Sequence, residues 1–382
     1  MEKRIFLFST LALTLFSCAN TEPVNTVKEK VKNSPDEILL AANDADIHKG
    51  GRYVYDQFGS AKHSWPGVYF ETEFKGTQIA ARLDDFGNSY NIWIDGQLHG
   101  KLDVVIGKTD YTLAEGLTNE WHSVRLIKRT VMVHKSSLFH GFLTGSNTLT
   151  RAPENRERKL VFYGDSFTVG LANESTKRDG CSNTLLHDST NHDLAFPALV
   201  ARNFDADFNS QAISGKGLIR NYAGNDVQWG AMRKFEDSVL VNEGDTDWTY
   251  PDKVDLVVVN LGINDLSTPI KSSESYTSQE AFNALYKQQY HKFLQKMRSK
   301  YGQDTPFILT AMYLWPDDLM RPLVQEIVNE EQSSGKPVYY IDQTGIELSS
   351  CQWHPSLSEH EIIAKGISNK IDELLDWQQL LY

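Results

Sequence analysis

The sequence predicts two folded domains of different class, a β-sandwich followed by an α/β domain built on a parallel sheet. Three observations carry this. The 382 residues, 40% of them hydrophobic, are enough for two cores at roughly 100–200 residues per domain. From about residue 36 to residue 149 the apolar residues come in short, partly alternating runs with close turn signals. From Leu160 the pattern changes to short apolar runs separated by helical stretches. Strands alternating with helices imply a parallel sheet covered on both faces.

The N-terminus reads as a targeting segment. Lys3 and Arg4 give a basic start, and Ile5 to Ser17 is mostly apolar but too short for a membrane span. It ends in Leu15-Phe16-Ser17-Cys18, which resembles a bacterial lipobox. That resemblance implies cleavage before Cys18, a lipid on its sulfur and export to the bacterial cell envelope, at the outer membrane or cell surface. A simple cleaved secretory signal is the alternative. Residues 1–18 are therefore set apart from the fold. Residues 19–35 are polar, without apolar periodicity, and read as a flexible tether.

Residues 36–150 form the predicted sandwich, of jelly-roll-like type. Ser64-Trp65-Pro66-Gly67 is a turn-like entry, with Trp65 expected in the core. Strand-like runs follow at 68–74, 77–83, 90–94, 121–128 and 130–133, and Asp95-Gly96 after the third is a hairpin signal. No long linker follows, so the sandwich is expected to shape one wall of a cleft rather than to act alone.

The second domain is expected over residues 155–382, after a charged crossover at 151–159. Its strands are predicted at 160–163, 254–260, 306–312 and 337–341, and its helices at 278–300, 321–333 and 358–378. Pro322 suits a helical first turn, where its missing N–H costs nothing. The organising stretch is Leu160-Val161-Phe162-Tyr163-Gly164-Asp165-Ser166. It reads as a buried strand that delivers a serine to the carboxyl edge of the sheet, where ligands of open α/β sheets bind. Amides at a helix start just beyond would favour a developing negative charge.

The net charge of −12 and the lack of any long Lys/Arg run make nucleic acid and anionic lipid poor partners. A neutral polysaccharide or ester would not be repelled. No phosphate loop or dinucleotide fingerprint occurs. The cluster His187-Asp188-Ser189-Thr190-Asn191-His192-Asp193 lacks a third ligand at characteristic spacing, so no metal is expected. A serine hydroxyl needs a base within hydrogen-bond reach and donors for an oxyanion, and histidine suits the base role near neutral pH. His354, in Cys351-Gln352-Trp353-His354-Pro355, precedes a predicted helix. Asn264, in Gly262-Ile263-Asn264-Asp265, follows an apolar run, and Ser214-Gly215-Lys216-Gly217 suits close backbone approach to a ligand.

Serine, glycine, asparagine and histidine thus occur in that order, in loop-like segments. The chain resembles the SGNH hydrolase superfamily, which implies a three-layer parallel-sheet hydrolase domain. By that resemblance Ser166 is the nucleophile and His354 the general base. The Ser166 amide, the Gly215 amide and the Asn264 side chain form the oxyanion hole, and Asp265 holds the loop. Together with the sandwich in front, the Ser214–Leu218 and Cys351–Pro355 blocks resemble carbohydrate esterase family 2. That implies removal of O-acetyl groups from plant polysaccharide such as xylan or glucomannan, without a cofactor. The superfamily usually has aspartate three residues before the histidine, and here that position is Cys351. The expectation is a Ser-His dyad, with His354 oriented by a main-chain oxygen near Gln352 or by a remoter acid such as Glu347. Some family members work with such a dyad.

Trp353 and Tyr222 are read either as core residues or as aromatic faces for a sugar. Cys181 and Cys351 are expected either to pair, as an oxidising compartment permits, or to stay as two buried thiols. A lipase or phospholipase on the same scaffold and a cell-surface glycan-binding protein are the rival functions. Oligomeric state is left open.

Overall fold

The change of period near residue 160 is a change of architecture. The computed structural model describes residues 26–27, 37–242, 248 and 253–380. The expected signal segment with Cys18, and all of the tether but residues 26–27, lie outside the described residues.

The first unit is two packed sheets. One carries Gln97–Asp103, Ser89–Ile94, Glu120–Lys128 and Tyr69–Gly76 side by side, and the other carries Gly107–Ala114, Ile79–Asp85 and Ser137–Gly145. These neighbours pair antiparallel. Alternation sends Phe70, Phe74, Tyr90 and Leu83 inward to meet Phe139 and Phe142. Residues 130–133, expected as a strand, are irregular. Thr130 does not join a ladder, because its Oγ1 accepts from the Ser89 N–H and donates to Asn88 Oδ1.

The second unit has five parallel strands in the spatial order Ala206–Ala212, Arg158–Gly164, Leu256–Asn260, Phe307–Ala311, Val338–Asp342. Strand residues alternate between two buried faces. Leu160, Phe162 and Val258 pack with Phe196, Val200, Ile363 and Ile367, from the helices Phe196–Asn203 and Leu357–Leu375. Val161, Tyr163, Val257 and Val259 face Phe293, Leu294, Val324 and Ile327, from Gln279–Tyr301 and Met320–Ser333. This is a three-layer sandwich of helices on a parallel sheet. Counted along the chain, the first strand, Arg158–Gly164, has the second, Ala206–Ala212, on one side and the third, Leu256–Asn260, on the other, so the connections diverge there. Such a switch point opens a crevice at the carboxyl ends of the strands.

The strand Ala206–Ala212 was not anticipated from the sequence. All seven of its residues are buried, but Asp207, Asn209, Ser210 and Gln211 are polar. Asp207 finds partners in both units: it accepts from Tyr69 Oη at 2.5 Å and from Lys159 Nζ at 2.5 Å, and lies 2.9 Å from His48 Nε2. The two units meet elsewhere too. Arg52 donates to Ser238 O at 2.8 Å and to Tyr163 Oη at 3.0 Å, and the buried Trp65 indole donates to Ser238 O at 3.2 Å. Trp65 is a core residue as expected, and it also reaches across the seam.

Candidate active site

Ser166 is the first residue of a short helix, Ser166–Val169, that begins as the first strand ends. Asp165 caps it by accepting the Phe167 N–H at 3.0 Å. The turn is tight enough that a Cβ on Gly164 would come within 1.8 Å of Thr168 Oγ1, so only glycine fits. The result is a serine fixed at the switch point, with the residue 7% exposed.

His354 arrives from the other end of the sheet. The chain leaves the fifth strand at Asp342 and returns to the first strand before the helix Leu357–Leu375 begins. His354 Nε2 lies 2.8 Å from Ser166 Oγ. His354 Nδ1 lies 3.0 Å from the main-chain oxygen of Cys351. A carbonyl oxygen only accepts, so Nδ1 carries the hydrogen and Nε2 is free to accept from the serine. Of the two orienting groups the sequence left open, the ring meets the main chain. The Glu347 carboxylate is not its partner.

Asn264 lies just beyond the third strand and Gly215 just beyond the second, so both flank the same crevice. Asn264 Nδ2 donates to Asp165 Oδ2 at 3.1 Å and to Lys216 O at 3.0 Å. Both amide hydrogens therefore have acceptors in this state. Gly215 has φ +76, a conformation side chains rarely adopt, and a Cβ there would meet nothing within 4 Å, so its backbone borders open space. Asp265 accepts the N–H groups of Leu218, Ile219 and Arg220 at 2.7, 2.9 and 2.9 Å. One carboxylate thus ties the loop after Gly215 to the short helix Ile263–Leu266 that carries Asn264.

Trp353 and Tyr222 are 53% and 52% exposed, so neither is a core residue. The Trp353 ring lies under Arg178, with 4.5 Å from the guanidinium carbon to the ring centre. Cys181 and Cys351 are joined by a disulfide, with the Cα atoms 6.0 Å apart. The two histidines of the polar cluster separate. His187 pairs with Asp188 on the surface, whereas His192 is buried 3.0 Å from Ser210 Oγ. Among the described residues no group of three His, Cys, Asp or Glu is placed to hold a metal. Sequence reading missed Tyr313 and Trp315, which follow the fourth strand at the same sheet edge; Trp315 is 81% exposed. Their only signal was an aromatic pair directly after a buried strand.

Burial holds the His354 imidazole below its ordinary range, with the main-chain groups of Cys351 and Gln352 opposing. Burial also pushes the Asp165 carboxyl up to about 7, helped by the charge of Asp265. A base works in its neutral form, and a depressed value keeps that form present at lower pH. The acid limb of kcat/KM is therefore expected below pH ~6.5, the ordinary histidine value, with activity lost as pH falls through the folded value. The check is a kcat/KM profile of the wild type and of Asp165→Asn. That variant keeps an acceptor for the Phe167 N–H and removes the second titration.

Residues 49–153 match the family model for the carbohydrate esterase 2 N-terminal region, and residues 162–355 match that for the GDSL-like lipase/acylhydrolase family. The chain is 34% identical over 333 residues to an acetylxylan esterase / glucomannan deacetylase of Cellvibrio japonicus, covering 83% of this chain and 88% of that protein. It superposes on a carbohydrate esterase whose active site displays divergent catalytic and non-catalytic binding functions, at 31% identity and a TM-score of 0.78, over 86% of this chain and 98% of that one. It also superposes on a family two carbohydrate esterase from Clostridium thermocellum in complex with cellohexaose, at 27% identity and a TM-score of 0.75, over 87% and 99% of the two chains.

Proposed function

The chain belongs to carbohydrate esterase family 2, and from that premise we propose that it removes O-acetyl groups from plant cell-wall polysaccharide, xylan or glucomannan, through an acetyl-enzyme on Ser166. The observation that carries the mechanism is the 2.8 Å approach of His354 Nε2 to Ser166 Oγ.

Ser166 Oγ attacks the acetyl carbonyl carbon as its proton passes to His354 Nε2. The Cys351 oxygen, bound to Nδ1–H, stabilises the imidazolium. The Ser166 and Gly215 N–H groups and Asn264 Nδ2 hold the oxyanion, and for this one Asn264 bond, to Asp165 or to Lys216 O, is shared or given up. The tetrahedral intermediate expels the sugar oxygen, which takes the proton from His354. Water, deprotonated by the same imidazole, then attacks the acetyl-serine, the bond from Ser166 Oγ to the acyl carbon breaks as the His354 proton returns to Oγ, and acetate leaves. Exposed Trp353 and Tyr222 offer aromatic faces to the sugar chain beside the serine.

Asn264→Ala is expected to fold and to lose about 10²–10³ in turnover, the usual cost of one oxyanion donor. Unchanged acetate release would remove Asn264 from the site. The test of the substrate class is acetate release from acetylated xylan and acetylated glucomannan, set against hydrolysis of long-chain acyl esters. Preference for the acetylated polysaccharides supports the esterase reading, and preference for long acyl chains supports a lipase instead. Glycan binding with no acetate release points to a binding protein.

The division into a sandwich at 36–150 and a hydrolase domain at 155–382 belongs to the same proposal, as does export with a lipid on Cys18. Among the described residues no helix is long and apolar enough to cross a membrane.

A further inference from the structure

The loop that carries His354 is held in an unfavourable backbone conformation. Gln352 and Trp353, the two residues before the histidine, both have left-handed φ, at 54° and 59°, and Leu348 has φ 57°. None of the three is glycine. Side chains resist this region, and such residues persist where their surroundings over-determine them. Ser350 and His354 close the turn, with the Ser350 N–H donating to His354 O at 2.9 Å.

Two elements hold this turn: the helix Leu357–Leu375, whose Glu359 carboxylate accepts the N–H groups of Glu347 and Ser349, and the segment 172–181, which follows the Ser166 helix. The Gln352 N–H donates to Arg178 O at 2.7 Å, Arg178 Nη2 donates to Glu347 O at 3.0 Å, and Ser350 Oγ donates to Ala172 O and Ser175 O. The Trp353 indole donates to Asp179 Oδ1 at 3.2 Å. Gln352, Trp353 and Asp179 are exposed, so water competes for several of these bonds. The covalent tie is the disulfide between Cys181 and Cys351, and Cys351 is fully buried. Its main-chain oxygen is the group that receives His354 Nδ1–H.

We propose that the Cys181–Cys351 disulfide is a positioning element for the reaction, fixing the main-chain oxygen that orients His354. At this position an aspartate would orient the ring with its carboxylate, and here a covalent clamp on the backbone does so. The bridge joins the base's loop to the nucleophile's loop, so it sets the distance between them. This rests on the reading of Ser166 and His354 as nucleophile and base.

The test is Cys181→Ser in the full chain, assayed for acetate release well below its melting temperature. A displacement of about 1 Å between reacting groups can cost ~10²-fold. The expected result is therefore a fall in kcat of about 10–100-fold with KM little changed. A folded variant with wild-type kcat and only a lower melting temperature overturns the proposal. Should that variant not fold, the wild type is reduced with a dithiol. The dithiol supplies two electrons and two protons, the Sγ–Sγ bond becomes two thiols, and the dithiol closes to its own disulfide. Alkylation of both cysteines confirms the cleavage. The expected result is the same fall in kcat, recovered on reoxidation before alkylation, and full kcat with both thiols free overturns the proposal. Ser166→Ala is run alongside. Undiminished acetate release there defeats the esterase reading itself, whereas loss there with full kcat in Cys181→Ser defeats the bridge alone.

Discussion

Ser166→Ala is expected to lower acetate release by about 10⁴–10⁶-fold, the range seen when a hydrolase loses its serine nucleophile. The substitution deletes one oxygen and little else. Position 166 is the first of a helix already capped by Asp165, and alanine is a good helix former. Its hydroxyl sits 2.8 Å from His354 Nε2 and has no packing role that a methyl group cannot fill. Melting behaviour and binding of the glycan chain should therefore stay close to wild type. Initial rates and a thermal melt check both halves. A variant that binds and melts normally yet releases acetate at the wild-type rate would show that the covalent step lies elsewhere.

His354→Ala is expected to cost a similar factor, about 10⁴–10⁶-fold, for a different reason. Without the imidazole, Ser166 keeps its proton at neutral pH and is a weak nucleophile. The leaving sugar oxygen also loses its proton donor. The two effects act on one machine, so the double variant should be hardly worse than either single variant. Some structural cost comes with it. The Cys351 oxygen loses its Nδ1–H partner, and Phe167 loses a ring packed edge-on at 5.3 Å between centroids. The measurement is kcat for both single variants and the double variant, with melts. Multiplying losses would separate the two residues into independent roles.

Much of the candidate site was legible because its side chains follow strong local patterns. Ser166 and Asn264 each come directly after a buried apolar strand, where parallel sheets place their ligand-binding loops. The four parallel strands read from apolar runs lie where expected, within a few residues. The remaining strand, Ala206–Ala212, escaped because four of its seven positions are polar. Its burial depends on the Asp207 partners Tyr69 and Lys159 and on the Ser210 partner His192. Hydrophobic patterning has no signal for a strand whose buried polar residues meet partners brought in from distant parts of the chain. Thr130–Val133 failed in the opposite sense. Its β-branched residues suit a strand, but Thr130 binds Asn88 and Ser89 instead. The partner of His354 was narrowed but not fixed by sequence, since any residue can supply a main-chain oxygen. The left-handed pair at Gln352 and Trp353 that aims this oxygen carries no glycine to announce it.

The most direct measurement is covalent labelling of the full chain with a fluorophosphonate, which phosphonylates an activated serine. The expected result is loss of acetate release in proportion to one phosphonyl group per chain, located on Ser166 by peptide mass, with labelling greatly slowed in His354→Ala. Complete labelling of Ser166 with acetate release intact, or full inactivation with the label on another residue, would contradict it.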